Sequence, residues 1–208
     1  MQFNLFIISV FLYHTANSQQ RTGVEEFFYV GKNAPSTVVP RIYYQTNAGW
    51  YGEVRYNYEE ERTGSLYAGK TFSKQGDVCW SLTPVAGLIW GKLKGGAAGL
   101  NVALAYRDLS FSSALQYAVS REDRQLNFFY AWSELGCQVA KSVYAGLAIQ
   151  QTRLFGTTTR WDPGLQVGFL IEKWTFPFYV FDPMGDQRHF VLGVTREWNR
   201  QKHPVLKH

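Results

Sequence analysis

Long apolar runs are missing from this chain of 208 residues: no stretch reaches the roughly 18 consecutive apolar residues a membrane helix requires. The apolar run near the start, Leu5 to Tyr13, is too short to span a bilayer as a helix. Cysteine is scarce. Cys79 and Cys137 are the two, and no pair of cysteines and histidines has zinc-ligand spacing, so no metal is expected. A dominant charge is also lacking. Of the formal +5, Arg200, Lys202 and Lys207 in the final "NRQKHPVLKH" account for three, leaving +2 scattered among acids. That is not a nucleic-acid footprint. A helical 3.6-residue period, a linker and a low-complexity tract are absent too, so a single domain is expected.

Alternation of period two is what the chain has in quantity. In "LSFSSALQYAVS", Leu109, Phe111, Ser113, Leu115, Tyr117 and Val119 fall on one side, and Ser110, Ser112, Ala114, Gln116, Ala118 and Ser120 on the other. "GWYGEVRYNYEE" sets Trp50, Gly52, Val54, Tyr56 and Tyr58 against Tyr51, Glu53, Arg55, Asn57 and Glu59. "QLNFFYAWSE" sets Leu126, Phe128, Tyr130 and Trp132 against Gln125, Asn127, Phe129, Ala131 and Ser133. Successive side chains pointing to opposite faces mean strands. About twelve are expected, with ten as the alternative: 24–32, 38–46, 49–60, 63–73, 78–91, 95–107, 109–120, 123–134, 136–152, 163–173, 174–182 and 188–198. Links after even-numbered strands are tight, at residues 47, 75, 107–108, 134–135 and 173. Several others are longer, at 33–37, 92–94, 153–162 and 183–187. Short turns at one end and longer loops at the other suit an up-and-down barrel.

The address is export. Leu5 to Tyr13 precedes small and polar residues, and Ala16 and Ser18 stand at the spacing of an A-x-A-like cleavage site. The expected organisation is a signal peptide over 1–18, a barrel over 19–198 and a basic tail over 199–208. Export permits a disulfide. However, alternation puts Cys79 inward and Cys137 outward on non-neighbouring strands, so no bond is expected.

A soluble sandwich alternates as well, with its apolar faces turned inward. Three features favour a closed antiparallel transmembrane β-barrel. Aromatics cluster near strand ends, where Trp50, Trp80, Trp90, Trp132, Trp174 and Trp198 suit a membrane–water interface. Many segments have about the ten residues a tilted strand needs to cross the hydrocarbon. The polar face is small-sided rather than rich in Lys and Glu. Closure leaves no unpaired edge in lipid. Lys70 and Lys141 fall on the expected lipid face and must then lie near an interface.

With its export signal, alternating segments and a final strand "FVLGVTREW" ending in Trp198, the chain resembles small outer-membrane β-barrel proteins of Gram-negative bacteria. The resemblance covers nearly all of 24–198, is one of architecture, and indicates no specific named family. The "SQQ" that would follow cleavage is similar to exported proteins of Bacteroidetes-type bacteria. In many such barrels an aromatic closes the chain; here "NRQKHPVLKH" follows Trp198, which departs from that pattern. The resemblance implies an outer-membrane location and contact with outer-membrane lipid.

Residues that carry chemistry are few. Outside the first 18 residues the histidines are His189, His203 and His208. His189-Phe190-Val191 lacks the His-Ser pattern of outer-membrane lipid hydrolases, and Asp182, Asp186 and His189 read as a solvated loop cluster. "EEER" at 59–62 lacks the spaced oxygens of a calcium loop. No catalytic residue and no cofactor are expected, and the chain does not read as an enzyme. The candidate lumen residues are Glu53, Arg55, Glu59, Arg107, Gln116, Gln150 and Glu172. They form either a charged constriction that sorts solutes by sign or a salt-bridge network that stiffens the wall. A passive porin-like channel for small water-soluble solutes is the first expectation, since twelve strands enclose more space than eight. The alternative is a non-conducting accessory barrel with a protein partner in an outer-membrane assembly.

Overall fold

The computed structural model describes residues 20–31 and 36–198. The expected signal peptide and basic tail lie outside the described residues. The chain forms one antiparallel barrel of consecutive hairpins. Its strands are β1 (Arg21–Gly31), β2 (Thr37–Gln45), β3 (Trp50–Tyr56), β4 (Thr63–Lys70), β5 (Phe72–Lys74), β6 (Val78–Gly91), β7 (Gly95–Tyr106), β8 (Leu109–Ser120), β9 (Phe128–Ala140), β10 (Val143–Leu154), β11 (Arg160–Ile171), β12 (Trp174–Phe181) and β13 (His189–Trp198). The barrel closes where β1 pairs with β13, from Thr22↔Trp198 to Gly31↔His189. β4 and β5 both pair with β6 in one continuous register, so they form a single stave and the barrel has twelve. The break falls opposite Pro84, which has no N–H to offer the ladder.

Short links at 46–49, 75–77, 107–108, 141–142 and 172–173 define one end, together with both termini of the described barrel. Longer links at 57–62, 121–127, 155–159 and 182–188 define the other. Two positions expected in the lumen lie in the tight turns instead. Arg107 (φ 52°) and Glu172 (φ 54°) adopt the left-handed conformation that reverses the chain, and both are exposed. Alternation ends with the ladder, so it does not extend to them. Lys70 and Lys141 sit at the short-turn end. The Lys70 ammonium lies 4.9 Å from the Trp50 ring centroid and donates to the Ala48 carbonyl, within an interface band. Trp50, Trp80, Trp174 and Trp198 stand at this end on the outer face; Trp90 and Trp161 stand at the other.

One hairpin differs from expectation. Residues 121–127 form a capped loop: Asp123 accepts from the Gln125 N–H (2.8 Å), and Asn127 accepts from the Ser120 N–H (2.8 Å). A single 3-10 turn spans Arg124–Leu126. β9 therefore starts at Phe128 and runs straight through Glu134-Leu135, and the reversal comes at Lys141-Ser142. The faces of the first half of β9, up to Glu134, are exchanged accordingly, whereas Cys137 is outward as expected. Phe128, Tyr130, Trp132 and Glu134 point inward, while Ser133, Leu135, Cys137 and Val139 point outward. Trp132 is thus not an interface residue. On the outer face Ser133 meets Ser113, and their hydroxyls hydrogen-bond at 2.8 Å, so neither is left unsatisfied in lipid. Cys79 and Cys137 are free thiols.

Glycine opposite an aromatic is the recurring device of the inner wall. Gly23 faces Tyr43, Gly87 faces Tyr67, Gly168 faces Tyr144 and Gly164 faces Phe181 in direct cross-strand pairs. In each case a Cβ on the glycine would enter the ring, at 2.2, 2.5, 2.1 and 2.6 Å respectively. The missing side chain lets the ring lie flat against the wall instead of projecting into the bore.

Candidate functional site: the bore

The inner wall carries a stripe of charges on neighbouring staves. Glu53, on β3, is fully buried and central. Arg41 of β2 approaches it at 3.0 Å, Arg55 pairs closely with its other oxygen, and the Tyr51 hydroxyl donates to it at 2.8 Å. Arg41 also reaches Glu25 of β1 at 3.5 Å. Tyr43 hydrogen-bonds Glu197 of β13. Alternation puts these groups on one face: Glu25, Arg41, Tyr43, Tyr51, Glu53 and Arg55 are all inward positions of β1 to β3.

Glu59 lies beyond β3 in the 57–62 loop, yet it folds back into the bore. It accepts from Ser65 (2.8 Å) and Tyr67 (2.9 Å), and lies 3.6 Å from Arg55. The left-handed Asn57 (φ 57°) turns the chain inward at this point. It brings Tyr58 with it, against the alternation that would have put Tyr58 on lipid: the Arg55 guanidinium stacks on Tyr58 at 4.3 Å and on Tyr67 at 4.4 Å.

Contacts then cross the bore. Arg55 Nη1 donates to Gln116 Oε1 of β8 at 2.7 Å, and Gln116 Nε2 donates to Glu59 at 3.3 Å. Tyr58 meets Tyr130 of β9 edge-on at 6.0 Å. Trp132 of β9 spans to β1, 5.7 Å from the Phe27 ring, and to β12, 5.0 Å from Tyr179 and 5.3 Å from Phe181. Tyr179 donates to Glu134 at 2.9 Å. The bore is therefore divided at mid-height by a polar, charged half on β1 to β4 and β8, and an aromatic half on β9, β12, β13 and β1.

Of the seven expected lumen residues, Glu53, Arg55, Glu59 and Gln116 form one connected cluster. Gln150 is on the inner wall beside Trp132 but outside that cluster. Arg107 and Glu172 are at the turn rim. Glu25, Arg41, Trp132, Glu134 and Tyr179 were not expected there. Arg41 shares a face with Tyr43 and Gln45, and that alternation was the available signal. Trp132 and Glu134 were hidden by the misplaced hairpin. The Asp182–His189 cluster is architectural. The Asp182 carboxylate accepts from the Gln187 N–H at 3.2 Å, and His189 stacks on Phe181 at 5.1 Å.

No protein-family model matches this chain, and no curated protein matches it by sequence. Among solved structures it is similar to the KdgM porin, with a TM-score of 0.59, 12% identity, and an alignment covering 85% of this chain and 99% of that one. The same values hold for the KdgM porin in complex with disordered oligogalacturonate. The NanC porin aligns with a TM-score of 0.56 and 11% identity over 86% of this chain and 100% of that one. The fold is thus that of the small outer-membrane porin barrels.

Proposed function

We propose that this chain is an exported outer-membrane channel, narrow and passive, that admits small water-soluble solutes of neutral or positive charge. The observation that carries this is the charged stripe facing into a twelve-stave bore. At mid-height the acids Glu25, Glu53, Glu59 and Glu134 outnumber the bases Arg41 and Arg55. Charged rings in a low-dielectric pore sort ions by sign. The excess of acid is the wrong sign for a polycarboxylate such as the oligogalacturonate that accompanies one of the similar barrels. Ligand preference therefore does not follow from the shared fold.

A second reading rests on the contacts that cross the bore. The Arg55–Gln116 bond and the Trp132–Phe27 contact fill it at mid-height. A barrel closed there would be a non-conducting accessory subunit with a protein partner. Single-channel current from the folded mature chain in a planar bilayer separates the two. Ohmic steps with cation preference, reduced in a Glu53→Gln/Glu59→Gln double variant, support the channel. An inserted barrel that passes no current, with or without Trp132→Ala, supports the closed accessory subunit.

A further inference from the structure

We infer that the β12–β13 seam is a second functional site: a lateral groove that takes the hydrocarbon chain of a single-chain anionic amphiphile of the fatty-acid class and connects the bilayer with the aromatic half of the bore. Four observations converge on it. The ladder between these strands runs through Trp174↔Arg196 and Thr175↔Thr195, then resumes at Phe178↔Leu192; the Phe176 and Pro177 positions make no pair with Val194 and Gly193. Proline cannot donate to a ladder, and within sheets it is tolerated at edges and bulges. A closed barrel has no edge, so Pro177 opens a local weakness in the wall. Opposite it, Gly193 contributes no side chain, and the gap is filled by the Pro177 ring and the Phe27 edge, at 2.5 and 2.8 Å from where a Cβ would stand.

Outside the wall at the same height lies a groove of about 510 Å³ lined by Phe28, Val167, Phe169, Phe176, Phe178 and Leu192. Inside the wall, directly behind, Phe27, Trp132, Tyr179, Phe181 and Val191 form an apolar cluster. Hydrocarbon thus meets apolar side chains on both faces of an interrupted seam. The other proline break provides the contrast. At Pro84 the inner side is polar, and Thr71 hydrogen-bonds both Gln45 and Thr83 at 2.9 Å, which staples the wall shut. At the β12–β13 break the inner side is instead apolar, with the Pro177 ring and the Phe27 edge against Gly193.

The head group is fixed by charge. At the short-turn end of the groove Arg196 lies between two indoles, 4.9 Å from the Trp174 and Trp198 centroids, and its Nε is buried without a hydrogen-bond partner. Trp174 stacks on Phe176 at 6.4 Å, so the guanidinium and the groove are continuous. A carboxylate on Arg196 would place its alkyl chain along Phe176 and Phe178 toward the seam. A two-chain lipid offers the same contacts outside but is too bulky to enter between two strands.

The test is photocrosslinking in liposomes with a clickable palmitate as probe. A photoreactive residue replaces Phe178 on the outer face or Trp132 on the inner face. Labelling at both, with the inner signal lost in Arg196→Gln, is expected. Cysteines at 176 and 194, in a chain with Cys79→Ser and Cys137→Ser, would lock the seam; inner labelling should vanish when they are oxidised and return on reduction. Labelling at 178 alone, or inner labelling that ignores the lock, would overturn the inference. Conductance measured on the same samples tests the channel reading separately.

Discussion

A carboxylate at mid-height on the hydrocarbon face destabilises the barrel. Glu25 pairs with Arg41 and Phe27 meets Trp132, both inside, so Glu26 between them points to lipid. Its cross-strand neighbours are Pro40 and Val194, and no ion pair reaches it among the described residues. Arg196 stands diagonally on β13 but turns away to its two indoles. A charge at this depth is disfavoured, less for an acid than for a base. Glu26→Gln should therefore stabilise the folded barrel by on the order of 1 kcal/mol. Reversible denaturant titration in lipid vesicles would measure it, and an unchanged or lower midpoint would contradict the placement. The glycine–aromatic pairs make the opposite kind of claim. In Gly168→Ala the new methyl would meet the Tyr144 ring, whose nearest atom is 2.1 Å from the Cβ position. The cost should be about 1–3 kcal/mol, the range of overpacking. Removing the ring with Tyr144→Ala should make the same alanine nearly neutral, a coupling that a double-mutant cycle reads directly.

At the scale of the strand, alternation carried most of the architecture, and its failures have one cause. Where alternation is unbroken and ends at a change of direction, as in β6, β7 and β8, the expected bounds of 78–91, 95–107 and 109–120 differ from those found by at most one residue. The β8–β9 connection went astray because Gln125 to Trp132 also alternates, although 121–127 is held as a loop by the Asp123 and Asn127 side chains. A shift of one residue in strand phase exchanges the two faces. Trp132 and Glu134 were lost from the candidate bore in that way. Charged stripes within β3 were legible because Glu53 and Arg55 are two apart. The partners that complete the cluster, Arg41 and Gln116, come from other staves, and no single stretch of sequence places them side by side. Spin labels can check the phase of β9. Labels at 133 and 135 should be relaxed by a lipid-soluble quencher and labels at 132 and 134 should not; the reverse pattern would restore the original assignment.

At the scale of the whole molecule, contacts across the bore narrow a twelve-stave barrel at one level. The flat rings over Gly23, Gly87 and Gly168 widen the bore, while Trp132 and the Arg55–Gln116 bond narrow it at one level. In a conducting barrel such a combination would confine the resistance to a thin layer rather than spread it along the bore. One side chain should then control conduction more than its volume suggests. Trp132→Ala removes the contacts to Phe27, Tyr179 and Phe181 at once. It should cost about 3–5 kcal/mol of stability, as large aromatic truncations do, and raise single-channel conductance severalfold. Cation preference should survive, because Glu53 and Glu59 belong to the charged half of the layer, outside the contacts of Trp132. Glu53→Gln should do the reverse, weakening selectivity with little change in conductance. If both variants alter conductance and selectivity together, the two halves act as one constriction, and the division of the bore into a sizing wall and a sorting wall would have to be abandoned.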